Sequence, residues 1–145
     1  MKDYKKMNTY LANLAVLNTK LHNLHWNVEG KQFMQVHNFT EDLYDDFFEK
    51  YDEVAEIMKM KGEFPLVKLS EYQEAATIEE LESKKYNVDE VLDEVLADLK
   101  EMKKLATEIR NDADNAGDFE VVGAFEDHVS GYSQNIWFLK AILAK

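Results

Sequence analysis

Apolar side chains recur along most of this chain at alternating steps of three and four residues, the spacing that gives a helix one apolar face. Four such stripes are visible, and polar breaks or one longer irregular segment separate them. They run from Tyr10 to Val28, from Val36 to Met58, from Val88 to Ile109 and from Val122 to Leu143. Their lengths predict four long amphipathic helices.

The ends of these helices are marked by residues that favour helix termination or capping. Gly30 and Lys31 are predicted to end the first helix, so that Val28 still belongs to it. Lys61-Gly62, with Pro65 just beyond, is predicted to end the second. Asn87 is a preferred N-cap for the third helix, and a polar break at 112–117 separates the third helix from the fourth.

The helical period is lost between Gly62 and Tyr86. Two capping-box patterns, at 70–73 and 77–80, predict one or two short helices there. A connection of this length can join two helices that run in the same direction. The pattern therefore predicts an all-α, ferritin-like four-helix bundle, a single domain over residues 1–145, with a short helix in the long crossover between helices 2 and 3.

Composition agrees with a folded domain. The chain has 145 residues, of which 46% are hydrophobic, enough for a sizeable core. It has no cysteine, which excludes disulfides and thiolate metal sites. Because the first twenty residues lack an apolar signal-peptide core and no apolar run is long enough to span a bilayer, we expect a cytoplasmic protein without membrane association.

The charge balance is strongly acidic. Asp and Glu number 29 against 17 Lys and Arg, for a formal net charge of -12. That charge repels a phosphate backbone unless basic residues are segregated, and here they are not. We expect DNA binding to be weak or absent and cations to be attracted.

Five side chains between residues 25 and 56 are suited to metal binding. They are His25, His37, Glu41, Asp52 and Glu56. Imidazole and carboxylate ligands are typical of iron, zinc and manganese sites. The pairs His37–Glu41 and Asp52–Glu56 are each four residues apart and share a helix face. A hairpin of the first two helices would place the two imidazoles opposite each other.

These five residues cannot form one site in one chain. His37 and Asp52 are fifteen residues apart on one helix, which is about 22 Å along its axis. Either each chain carries separate half-sites, or the second helix pairs with its copy about a two-fold axis near residues 44–48. In that pairing His37 lies level with Asp52 of the partner subunit, and Glu41 with Glu56 of the partner subunit, which gives two equivalent shared sites.

Aromatic residues on the second helix are predicted to pack between the chains in such a dimer. They are Tyr44, Phe47, Phe48 and Tyr51. The opposing interpretation treats each residue singly, since carboxylate pairs are usually solvated helix faces and His25 beside Trp26 could be an ordinary core histidine. The joint pattern favours the shared metal site.

The motif over residues 25–41 resembles the signature of the Dps family, the bacterial mini-ferritins. It reads His25-Trp26-x-Val28-x-Gly30-x5-Val36-His37-x3-Glu41. A second segment, Asp52-x-Val54-Ala55-Glu56, is similar to another pattern of that family. The likeness spans the whole four-helix layout.

The resemblance implies an enzyme, a ferroxidase, that builds a dodecameric shell from two-fold dimers. Such shells oxidise Fe(II), typically with hydrogen peroxide, store the ferric product inside and protect against oxidative stress. It implies a two-iron site between subunits, with His25, His37 and Glu41 from one chain and Asp52 and Glu56 from its partner, and no organic cofactor. Glu56 would bind or bridge iron directly, and Glu41 would lie farther out.

Further roles follow from the same likeness. Trp26, beside His25, would be an electron donor that limits radical escape. Asp118, Glu126 and Asp127 are candidates for an acidic iron-entry pore, although they could equally form a capped, solvated helix start. His22 is expected near the site or at the surface, and His128 at the surface.

This chain departs from the family pattern at several positions. Ile57 stands where the family usually has Arg, and Lys61 where an apolar residue is common. Near the fourth helix, Val121 and Gly123 replace a Thr and an Asp. A different charge pattern at the expected pore follows from these changes.

Two other functions remain open from the sequence. A Dps-like protein could condense DNA, which the acidic charge and the short start of the chain disfavour. The shell could also bind zinc or another metal without turnover.

Overall fold

Residues 3–145, the part of the chain described by the computed structural model, form five helices and two very short strands. The long helices are α1 (Lys5–Asn27), α2 (Phe33–Met60), α4 (Val88–Asn115) and α5 (Phe119–Leu143), and the short one is α3 (Leu69–Ala75). The strands are β1 (Val28–Glu29) and β2 (Tyr86–Asn87). The predicted bundle of four long helices, with one short helix in the crossover, is confirmed.

The helices pack around one apolar core. α1 packs along α2 and α4 along α5, while α1 also contacts α3 and α4. Each apolar stripe supplies the core, whose largest fully buried side chains include Tyr10, Phe47, Phe125 and Tyr132. None of the helices over residues 3–145 is both long and apolar enough to cross a membrane.

The first helix ends one residue earlier than the stripe predicts. Val28 leaves the helix and joins β1, where it pairs in parallel register with Tyr86 of β2. The prediction that Val28 is helical is therefore wrong, because its backbone bonds to a strand 58 residues away (86 − 28). Gly30 then turns the chain with a φ of 119°, a conformation that favours glycine.

The crossover contains one helix, not two. α3 begins after Lys68, and the Glu71 carboxylate accepts from the Lys68 backbone N–H at 3.2 Å, so Ser70 lies inside the helix and is not its cap. No helix forms at 77–80. The backbone N–H groups of Thr77 and Ile78 instead donate to the Asn13 side-chain oxygen of α1, at 2.8 and 3.2 Å.

The second half begins at the predicted cap but has a shorter break between its helices than predicted. The Asn87 side chain accepts from the Glu90 N–H at 2.8 Å, as an N-cap does. α4 continues to Asn115, so most of the predicted break at 112–117 is helical. α5 begins after Asp118, whose carboxylate accepts from the Val121 N–H.

One cation is buried between α1 and α4. Lys20 lies 2.7 Å from the Asp98 carboxylate and 3.4 Å from that of Glu94, and only 2% of its side chain is exposed. Burial raises the pKa of the Asp98 carboxyl to about 6, although Lys20 acts to lower it. A buried ammonium needs such a partner, since an unpaired charge there is costly.

Removing this cation is expected to destabilise the fold in a pH-dependent way. Lys20→Met leaves Asp98 buried without its partner, and we expect a loss of about 3 kcal/mol near neutral pH. Below pH 4 the Asp98 carboxyl is protonated in either protein and the loss is small. Without Lys20, which acts to lower it, the pKa of the Asp98 carboxyl is higher in the variant than in the unaltered protein. Ionising a carboxyl with a raised pKa costs folding free energy, so the difference in stability between the two proteins grows as the pH rises above 6.

The measurement is chemical denaturation at fixed protein concentration and several pH values. The double variant Lys20→Met/Asp98→Leu is the control, because it removes both charges and is expected to recover most of the loss. Equal stability of Lys20→Met and the unchanged protein at pH 8 would contradict the role given to this ion pair.

Candidate metal centre

The end of α1 and the start of α2 bring His25 and His37 together. Their rings stack with centroids 3.6 Å apart and an angle of 14° between the planes. His25 is buried and His37 half-buried. The structure thus places the two imidazoles opposite each other, as the hairpin arrangement predicts.

Each of these histidines is hydrogen-bonded to the backbone of the other. Nδ1 of His25 lies 2.6 Å from the His37 carbonyl oxygen, and Nδ1 of His37 lies 2.9 Å from the His25 carbonyl oxygen. A carbonyl oxygen only accepts, so each Nδ1 carries the proton and donates it. In the neutral imidazole Nε2 then has a free lone pair, the form that binds a metal. Spacing alone gave no sign of this reciprocal bonding.

Neighbouring groups hold the two rings in place. Thr40 is buried, and its hydroxyl lies 3.2 Å from Nδ1 of His25. Phe33 stacks on His37 with a centroid distance of 5.1 Å, and Tyr44 meets His25 edge-on at 5.3 Å. Because each ring is packed as well as hydrogen-bonded, its orientation does not depend on a bound ligand.

The three carboxylates lie on the exposed side of α2. Glu41 accepts from the Tyr44 hydroxyl at 3.3 Å. Asp52 and Glu56 line an open surface depression of about 460 Å³ at the other end of the helix. Other acidic residues also line it: Glu49, Glu53, Glu120 and Asp127. The second half of the predicted ligand set is therefore in an acidic, solvent-accessible position.

These two groups are separate within the chain. Among residues 3–145, no three His, Asp or Glu side chains converge into a group that could hold a metal ion. The histidine pair lies near the α1–α2 turn, whereas Asp52 and Glu56 lie in the last third of α2. A single chain therefore carries one half of the predicted ligand set near the α1–α2 turn and the other half near the end of α2.

His22 and Trp26 lie beside the histidine pair. His22 stacks on Tyr44 with a centroid distance of 3.8 Å, and its Nδ1 donates to the Asn18 carbonyl oxygen at 2.6 Å. Trp26 is 69% exposed and meets His22 edge-on at 5.7 Å. An aromatic path thus runs from His25 through Tyr44 and His22 to an exposed indole.

His128 is not a surface residue, and that prediction is wrong. It is buried, with Nδ1 2.8 Å from the Tyr10 hydroxyl and Nε2 2.5 Å from the Glu53 carboxylate. Burial lowers the pKa of His128, although Glu53 acts to raise it. The available signal was its position three residues after Phe125 and four before Tyr132, on the core face of α5.

Three of the aromatic residues predicted to pack between subunits differ in their exposure. Phe47 is buried in the chain's own core, beside Tyr132, so its assignment to a subunit contact is wrong. Tyr51 is half-buried, and its hydroxyl lies 2.5 Å from that of Tyr72. Phe48 is 62% exposed and free to meet another chain.

The three pore candidates have different surroundings. Asp118 is buried and pairs with Lys61 at 2.9 Å. Burial alone would raise the pKa of Asp118, but hydrogen bonds from Lys61 and the Val121 N–H lower it below the usual value. Glu126 pairs with Arg110 at 3.2 Å, and Asp127 is exposed at the depression beside Asp52.

Two of the sequence departures are explained by these contacts. Lys61 binds Asp118 and also lies 3.4 Å from Glu120, so it neutralises acidic charge at the start of α5. Ile57 is buried and packs in the apolar core.

Comparison with known proteins gives consistent results. The ferritin-like domain model matches residues 4–145. The "DNA protection during starvation protein" of Helicobacter pylori (strain J99) is 34% identical over 144 residues, covering 99% of this chain and 100% of that relative. The crystal structure of Dps from Staphylococcus aureus superposes with a TM-score of 0.93 at 30% identity, over 97% of this chain and 94% of that one.

A second solved structure is similar to the same extent. Helicobacter cinaedi CAIP has a TM-score of 0.93 at 35% identity, over 96% of this chain and 97% of that one. Sequence and structure therefore agree along nearly the full length of each protein. The chain belongs to the Dps family of ferritin-like proteins.

Proposed function

We propose that this protein is a ferroxidase and iron-storage mini-ferritin of the cytoplasm. It oxidises Fe(II), with hydrogen peroxide as oxidant, at a site shared by two subunits. The ferric product is stored inside a dodecameric shell, which protects the cell from oxidative stress. The observation that carries the proposal is the reciprocal bonding of His25 and His37, which leaves both Nε2 lone pairs free.

The proposed ligands come from two chains. His25 and His37 supply neutral nitrogen donors, and Glu41 a carboxylate farther out. Asp52 and Glu56 of the partner subunit supply the remaining oxygen donors, Glu56 being the one that binds or bridges iron directly. Borderline imidazole and hard carboxylate ligands suit iron. Their negative charge stabilises the ferric product relative to the ferrous substrate.

The shared arrangement is supported by the separation of the two halves. No three metal-competent side chains of the described chain converge, and the two-fold pairing of α2 brings the halves together. In the reaction, one peroxide takes one electron from each of two ferrous ions and is reduced to water with two protons. The net charge of -12 favours the approach of ferrous ions.

Mixing two defective chains tests whether the site is shared. One chain carries His25→Ala/His37→Ala and the other Asp52→Ala/Glu56→Ala, and the two are dissociated and reassembled in equal amounts. Half of the random dimers are mixed, and each mixed dimer has one intact site and one doubly defective site. We therefore expect about one quarter of the unaltered rate of iron oxidation by peroxide.

Stopped-flow absorbance of the ferric product measures this recovery. Each variant reassembled alone is the control and is expected to be inactive. A mixture as inactive as its components, in shells of the same size, would show that the ligands do not come from two chains.

Single substitutions test whether the site turns over iron at all. We expect His25→Ala and Asp52→Ala each to slow peroxide-driven iron oxidation by at least about tenfold, because each removes a ligand. The matched control is Asp93→Ala, an exposed carboxylate on α4. Unchanged rates in both ligand variants would refute the site, and tight zinc binding without iron oxidation in the unaltered protein would make it a metal-binding shell.

DNA condensation is the competing function, since relatives are named for DNA protection. The net charge of -12 opposes contact with a phosphate backbone. We expect no retardation of duplex DNA in a gel at low salt without added Mg²⁺. Retardation at submicromolar protein would contradict this expectation.

A further inference from the structure

Four polar side chains form an unbroken hydrogen-bonded series from the core to the surface. The Tyr132 hydroxyl lies 2.5 Å from that of Tyr10, and the Tyr10 hydroxyl lies 2.8 Å from Nδ1 of His128. Nε2 of His128 lies 2.5 Å from the Glu53 carboxylate. The two tyrosines and the histidine are at most 3% exposed, whereas half of the Glu53 side chain is in solvent. The proposed iron oxidation makes no use of this hydrogen-bonded series.

The positions of the protons follow from the acceptors. Burial lowers the pKa of His128, so the imidazole is neutral and has one N–H. The Glu53 carboxylate accepts that N–H from Nε2, which leaves Nδ1 to accept from the Tyr10 hydroxyl. The Tyr10 oxygen in turn accepts from Tyr132. Every donor is used once, and Tyr10 has a base within direct reach of its phenolic proton.

A phenol loses an electron readily only when its proton can leave at the same time, because the protonated radical cation is a very strong acid. Inside an apolar core there is usually nothing to receive that proton. Here the imidazole of His128 is the receiver, and Glu53 stabilises the resulting imidazolium through a charge-assisted hydrogen bond. The surroundings of Tyr10 therefore favour its oxidation, because its phenolic proton has an acceptor.

We propose that Tyr10 is an internal one-electron donor of this protein. It gives one electron to a strong oxidant while its phenolic proton moves to Nδ1 of His128. The products are a neutral phenoxyl radical at Tyr10 and an imidazolium whose Nε2–H stays bonded to Glu53. Tyr132 continues to donate its hydroxyl hydrogen to the phenoxyl oxygen and stabilises the radical.

Where only one ferrous ion is present, it reduces peroxide by a single electron and gives a ferric ion, a hydroxide ion and a hydroxyl radical, and this radical is the oxidant. It takes the electron from Tyr10 and becomes hydroxide. A second ferrous ion can then reduce the phenoxyl radical, and the proton returns from His128 to Tyr10. Because Glu53 follows Asp52 on α2, the surface end of this hydrogen-bonded series lies beside the carboxylate half of the proposed site. This source of oxidant rests on the proposed function, whereas the oxidisability of Tyr10 does not.

A second tyrosine pair supplies a matched comparison. The Tyr51 and Tyr72 hydroxyls are also 2.5 Å apart, and burial raises the pKa of Tyr72 as it does that of Tyr10. Tyr72, however, donates to the Leu66 carbonyl oxygen at 2.7 Å. An amide carbonyl is far too weak a base to take the proton, so this pair is not expected to hold a radical.

The first experiment is electron paramagnetic resonance of the assembled protein, freeze-quenched after addition of ferrous iron and peroxide. We expect a tyrosyl signal that narrows when the protein contains ring-deuterated tyrosine. Tyr10→Phe is expected to lose it and Tyr72→Phe to keep it, while Tyr132→Phe should raise the largest g-value by removing a hydrogen bond to the radical. A signal that survives in Tyr10→Phe, or that comes only from tryptophan, would overturn the proposal.

The second experiment needs neither iron nor a variant. Photogenerated tris(bipyridine)ruthenium(III) is used as the oxidant on the unaltered, iron-free protein, and the couplings of exchangeable protons are compared in H₂O and D₂O. Two exchangeable couplings, from His128 and Tyr132, support the proposal even if Tyr10→Phe does not fold. If that radical forms while iron is not oxidised, only the proposed function fails. If iron is oxidised and neither oxidant yields a radical at Tyr10, only this inference fails.

Discussion

The packing of α1 against α2 is the interaction on which the site depends. The apolar stripes of the two helices bury each other along most of their length, and the short turn at Gly30 sets their register. That register puts His25 and His37 face to face and lets each Nδ1 donate to the other's carbonyl oxygen. A slip of one residue would break both hydrogen bonds at once. The geometry of the histidine pair is therefore a product of core packing, with no separate loop to adjust it.

The sequence predicted what depends on local spacing. The steps of three and four residues located the four long helices, and the expected hairpin of the first two helices predicted that His25 and His37 face each other. The Asn87 cap was also visible, because its partner is three residues away. Each of these features is decided within a helix or a single hairpin, where backbone geometry leaves few alternatives.

What the sequence could not predict depends on partners distant in the chain. Val28 is a strand residue because Tyr86 lies beside it, and Thr77 does not start a helix because the Asn13 side chain bonds its N–H. His128 is buried because Tyr10 and Glu53 satisfy its two nitrogens. A polar residue on an apolar stripe is compatible with either the surface or a paired position in the core, and only the fold decides.

The described chain also accommodates ionisable and polar side chains inside its core. Lys20 with Asp98, and His128 with its two tyrosines, are both buried at a cost in solvation that paired partners offset. In each case the group that completes the pairing reaches toward the surface, as Glu94 and Glu53 do. The interior therefore stays connected to solvent through hydrogen bonds, although its helices are closely packed.

The separation of the two candidate ligand groups would link function to assembly. Fifteen residues of α2 hold His37 and Asp52 about 22 Å apart, and a straight helix cannot shorten that distance. A lone chain then has a prepared histidine pair and an acidic depression but no complete ligand set among its described residues. If both halves bind the same ion, binding favours the dimer by mass action, since only the dimer offers the full site. Under the proposed function, iron oxidation would then be confined to assembled protein.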